Sequence, residues 1–90
     1  MSIPRHTIDN GGMDDPLDAI LARRARLREM PAPPIRRALR EHHGLSQGQL
    51  AGLLGVDRAS VSRYESGERA PRTAIAERYL DILDRLASRR

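Results

Sequence analysis

The stretch VDRASVSRYESG, Val56 to Gly67, carries the side chains best suited to chemistry. On a helix, Arg58, Ala59, Ser62 and Arg63 share one face, with Ser60 near its N-terminal end. Val61 and Tyr64 take the opposite, inward face. Two guanidinium groups beside short and hydroxyl side chains make no catalytic set. They can grip planar acceptors: an arginine that bonds both O6 and N7 of guanine gains roughly 1–3 kcal/mol of discrimination. The face is therefore suited to reading base edges. The plainer alternative is a solvated charged surface.

Such a face needs a helix held at a fixed angle. Asp57 can cap that helix and Gly67 can end it. The segment before it, SQGQLAGLLG, opens with Ser46 and has Gln49 three residues on, a capping box. Leu50, Leu53 and Leu54 form its expected buried stripe, and Gly55 its stop. Two short helices joined by GVD fit a helix-turn-helix, whose members cross at about 90–120°. Gly55 suits a left-handed backbone. Val56 is expected to fill the space between the helices, and Ala51 to let them approach.

Further elements complete the frame. PIRRALREHHG predicts a helix from Pro34 to Gly44, with Ile35 and Leu39 facing the core. After the loop ERAP, the segment from Thr73 to Arg89 reads as one continuous helix. Its stripe is Ile75, Tyr79, Ile82 and Leu86, flanked by Ala76, Leu80, Leu83 and Ala87. That wide apolar face predicts a cover, either the N-terminal helix or a second chain. DDPLDAILARRARLREM predicts the N-terminal helix, with Asp15 as cap, Pro16 first and Asp18 near the positive end. Leu17, Ile20, Leu21 and Leu27 are expected on its packing side, with Arg23, Arg26 and Arg28 pointing mostly away. Pro31 to Pro34, PAPP, is expected to stop this helix and form a stiff link. Met1 to Met13 shows no periodicity and reads as a flexible arm. The expected layout is an arm over 1–13, a helix and link over 14–33, and a helix-turn-helix domain over 34–90. The fold class is all-α, a compact five-helix bundle with an added N-terminal helix.

Composition agrees. The 90-residue chain has no Cys, Trp or Phe and only two Tyr, so its core must be aliphatic, and no disulfide or thiolate metal site is expected. All 16 basic residues are Arg against 12 acids, a net charge of +4 that favours a polyanionic partner. A GC-rich genome also explains the arginine usage. RRARLR, Arg23 to Arg28, reads as a solvated face or as a nucleic-acid stripe. His42 and His43 are adjacent and splay apart on a helix, so no metal is expected. No catalytic triad, glycine-rich phosphate loop or cofactor motif is present, and no enzyme is expected. No apolar run is long enough for a membrane helix, and a cytoplasmic protein of the nucleoid is expected.

Ser46 to Pro71 resembles the helix-turn-helix of the Xre family, the Cro and cI type of phage repressor, and the likeness extends over Ile35 to Leu83. The resemblance implies a bacterial or phage DNA-binding protein and assigns roles by position. Gln47 is similar to a phosphate-contacting Gln. Arg58, Ala59 and Arg63 match base-reading positions, with Ser60 and Ser62 as lesser contacts. Backbone around Ser66, Gly67 and Arg69 resembles a second phosphate clamp, which Arg72 can assist. Arg40 and Glu65 match a partly buried salt bridge. Glu68 departs from the pattern, since a basic residue would serve a phosphate-facing loop better. The short fifth helix of the family is not evident, and everything before Ile35 is an addition.

The function expected is sequence-specific binding of double-stranded DNA by a homodimer, as a transcriptional repressor. The same fold also serves recombination or architectural factors of mobile elements and antitoxins. A protein-interaction module is the alternative from another class.

Overall fold

The computed structural model describes residues 15–89, and the arm expected over Met1 to Met13 lies outside them. The described residues form five helices and no strand. These are α1 (Pro16–Leu27), α2 (Pro33–His42), α3 (Gln47–Leu54), α4 (Arg58–Ser66) and α5 (Thr73–Ala87).

Caps set most of the boundaries. Asp15 accepts from the Leu17 amide and opens α1. Ser46 and Gln49 exchange bonds of 2.9 and 2.8 Å, the capping box expected for α3. Asp57 accepts from the Ser60 amide at 2.8 Å and opens α4. Gly55 and Gly67 end α3 and α4 with φ of 77° and 81°, where a Cβ would be strained. α2 starts one residue earlier than expected. Pro33 and Pro34 occupy its first turn, where neither amide is needed, so only part of PAPP is a link. α5 is one continuous helix and ends at Ala87.

Leu50, Ala51, Leu54, Val61, Tyr64, Tyr79 and Leu83 form the core between α3, α4 and α5. Leu39, Val56, Ile75 and Ile82 pack against it, Val56 from the turn as expected. The Tyr64 and Tyr79 rings meet at 6.3 Å between centroids.

Four expectations about faces are corrected. Ile35 is 55% exposed, and the inward face of α2 is turned toward Arg36 and Arg40. Arg36 lies 5.1 Å over the Tyr79 ring, and its Nε donates to the Pro31 carbonyl at 3.0 Å. Arg36 Nη1 and the Tyr79 hydroxyl are buried with no hydrogen-bond partner among the described residues, and burial pushes that phenol's pKa up. Leu53 is exposed because the buried edge of α3 is completed by Ala51 instead. On α5 the most buried residues are Tyr79, Leu80, Leu83 and Ala76, so the stripe centres on what seemed its flank.

The fourth correction concerns α1, which lies along α5 with its charged side inward. Arg23 pairs with Glu77, and Arg26 with Asp81 at 2.5 Å and Asp84 at 3.2 Å. Leu17, Ile20 and Leu21 face outward and are about half exposed or more, and α1 has no buried residue. The exposed face of α5 is acidic at Glu77, Asp81 and Asp84, so it selects the arginines of α1 over its leucines. His42 and His43 also differ from expectation: they do not splay but meet edge to face at 5.0 Å.

Candidate nucleic-acid interface

α4 presents the candidate face because two other helices hold it from behind. Val61, Tyr64 and Glu65 are its buried residues. Glu65 is the anchor. Arg40 donates to it twice, Nε to Oε2 at 2.6 Å and Nη2 to Oε1 at 2.9 Å. Arg40 Nη1 also donates to the Leu45 carbonyl at 2.7 Å. Gln47 Nε2 adds a bond to Glu65 Oε1 at 3.1 Å. One buried carboxylate thus joins α2, α3 and α4. Burial alone would push the Glu65 carboxyl up. The bonds from Arg40 and Gln47 outweigh it, and the group stays below the ordinary glutamate range. The same pairing pushes the Arg40 guanidinium further up.

The turn between α3 and α4 is fixed from α5. Arg78 Nη1 donates to the Leu54 carbonyl at 2.8 Å, satisfying one open end of α3. A Cβ at Gly55 would come within 3.2 Å of that nitrogen. Hydrogen bonds from Ser60 hold the Asp57 carboxyl below its usual range and so keep it a charged cap.

With α4 so held, Arg58, Ala59, Ser62 and Arg63 line one open recess, and Glu68 completes the lining. Arg58, Ala59 and Ser62 are exposed and Arg63 is half-buried. The four residues expected to share a face are therefore together. Ser60 lies beside them in the first turn, with its amide used by the Asp57 cap.

The residues expected at phosphates are placed less uniformly. Gln47 starts α3, but its side chain turns inward to Glu65. The amides of Gly67, Glu68 and Arg69 already donate to the Tyr64 carbonyl, Ser66 Oγ and the Arg63 carbonyl. These bonds are 3.3–3.4 Å, longer than usual, so a phosphate oxygen could displace them. The Ser66 hydroxyl donates to the Arg63 carbonyl at 3.1 Å. Arg69 and Arg72 are exposed, Arg72 just before α5. Sequence reasoning flagged Glu68 only as a misfit and did not place it in the recess. It gave no role to Arg78 or Arg36, since single arginines in an arginine-rich chain carry no signal.

Among the described residues no group of three His, Asp or Glu side chains could hold a metal ion, and no helix is long and apolar enough to cross a membrane.

Comparison with known proteins points the same way. A family model described as helix-turn-helix matches residues 37–86. Three archaeal relatives are provisionally named HTH-type transcriptional regulatory proteins. The one from Pyrococcus horikoshii is 46% identical over 48 residues, 53% of this chain and 15% of the relative. Those from Thermococcus gammatolerans and Thermococcus kodakarensis are 41% identical over 68 residues and 37% over 78. These matches cover 76% and 87% of this chain but 22% and 24% of the relatives. The chain thus spans a quarter or less of the length of the relatives it matches. No solved structure matches it. The family is non-enzymatic. The matched span runs from the middle of α2 almost to the end of α5 and includes the whole candidate face, so the chain belongs to the helix-turn-helix family of the Cro and cI type.

Proposed function

We propose that this chain binds double-stranded DNA by sequence, and that it represses transcription by occupying an operator. α4 enters the major groove with its N-terminal half. Arg58 and Arg63 read guanines, while Ala59 and Ser62 contact neighbouring base edges. Gln47, Ser60, Ser66, Gly67, Arg69 and Arg72 set the register on phosphates, which position the protein without specifying sequence. The observation that carries this reading is the recess bounded by Arg58, Ala59, Ser62 and Arg63 on a helix braced from behind. The names of the archaeal relatives support it.

We place self-association on α1. Its Arg23 and Arg26 are taken up by α5, and its Leu17, Ile20 and Leu21 are left exposed, which suits a second copy. A dimer predicts half-sites about 10–10.5 bp apart, or a multiple of that spacing.

The test is selection of random duplexes by the purified protein at physiological salt, followed by sequencing. A shared guanine-containing motif supports the reading. Retention of all sequences alike, vanishing as salt rises, defeats it and favours a protein-interaction module.

A further inference from the structure

Glu68 lies in the loop after α4, on the side where DNA is proposed to bind. Phosphates repel a carboxylate there, so its position calls for a reason. Its amide is tied to Ser66 Oγ, and the next amide, of Arg69, reaches back to the Arg63 carbonyl. The loop therefore folds over the end of α4 and delivers the carboxylate to the recess. Glu68 Oε2 stands 3.8 Å from Arg63 Nε. Glu68 is exposed and Arg63 half-buried, at 69% and 42% of their side-chain surface, so water screens the pair and it adds little to stability. Its effect falls on what Arg63 can bind.

The geometry points to Glu68 as a specificity-determining residue that masks Arg63 from DNA backbone and yields it to guanine. This rests on the DNA-reading proposal above. A free guanidinium binds phosphate on any sequence. Beside Glu68 its charge is balanced, and it is a poorer phosphate ligand. Guanine is uncharged, so Glu68 does not repel it, and its O6 and N7 can take the guanidinium as the carboxylate swings aside, whereas a phosphate meets the carboxylate's negative charge as well. The carboxylate released in the groove can then accept from the N4 amine of a cytosine, the one base whose major-groove edge offers only a donor. Binding to arbitrary DNA is therefore weakened more than binding to the preferred site.

The test compares the wild-type chain with Glu68→Gln, which keeps the side chain's size and one acceptor oxygen but removes the charge. Kd is measured across a salt series on the duplex preferred in the selection and on a shuffled duplex. Asp81→Asn, the loss of an equal charge on the α1-facing side of α5, is the control. Glu68→Gln should raise affinity for the shuffled duplex about two- to fivefold, the range of an exposed ion pair. It should also steepen the salt slope there by about 0.9, the signature of one more phosphate contact. Affinity for the preferred duplex should rise less, so the ratio between the two falls. Equal gains on both duplexes, no gain on either, or the same behaviour in Asp81→Asn overturns the masking role. A wild-type chain without sequence preference instead overturns the reading beneath it.

Discussion

Two sets of arginine–carboxylate pairs hold this molecule together, and they differ in one respect. The Arg40–Glu65 pair is buried, with side chains 8% and 3% exposed. The Arg26 pairs to Asp81 and Asp84 are exposed, at 39%, 68% and 63%. The chemistry is the same but the consequence is not. In a buried pair each charge depends on the other, because neither can turn to water. In an exposed pair water replaces the partner at little loss. The first set fixes the orientation of α4 against α2 and α3. The second fastens α1 to α5 by contacts that can be undone without disturbing the core.

The largest expected effect comes from breaking the buried pair. Arg40→Ala should destabilise the chain by about 3–5 kcal/mol, since Glu65 is left charged and buried. Urea unfolding read by circular dichroism measures it. A loss under about 1 kcal/mol would place the pair with the surface bridges.

Acid probes the same pair. Glu65 titrates below its ordinary range in the folded state, so its contribution is fully present above the unfolded value, about 4.3. It is lost as pH falls through the lowered folded value. Unfolding midpoints should therefore drop below about pH 4.3. The Glu65→Gln chain should be less stable at neutral pH and lose less in that acid window.

Gly55→Ala is expected to cost about 1–2 kcal/mol for a left-handed residue with a Cβ. The same Cβ crowds Arg78 Nη1, so the bond to the Leu54 carbonyl should weaken too. Thermal unfolding measures the first effect, and exchange of amides at the α3–α4 turn shows the second.

The smallest effect belongs to α1. Arg26→Ala should leave overall stability nearly unchanged, and any change should shrink further at high salt. Hydrogen exchange should rise along α1 while α3 and α4 keep their protection. Equal loss of protection in all helices would show that the exposed pairs hold more than α1.

The caps, the turn and the candidate face were legible in the sequence because each rests on local chemistry. Ser46 with Gln49, Asp57 and Gly55 act within a few residues of themselves. Arg58, Ala59, Ser62 and Arg63 need only a helix to share a face. Faces set by distant residues were not legible. Ile35 and Arg36 are neighbours, and which one turns inward depends on Tyr79, far along the chain. α1 offers both a leucine side and an arginine side, and the acids of α5 decide between them. Glu68 was visible as a misfit, but its reach into the recess follows from how the loop folds over α4.

The central claim is that α4 reads bases while its surroundings only position it. Duplex selection with the Arg63→Ala and Arg72→Ala chains beside the wild type tests it most directly. Arg63→Ala should lose preference at one position of the motif, by roughly 1–3 kcal/mol, and keep the rest. Arg72→Ala should keep the whole motif, bind all sequences more weakly and show a salt slope lower by about 0.9. An unchanged motif in Arg63→Ala, or a changed one in Arg72→Ala, would contradict the assignment of reading to the face of α4.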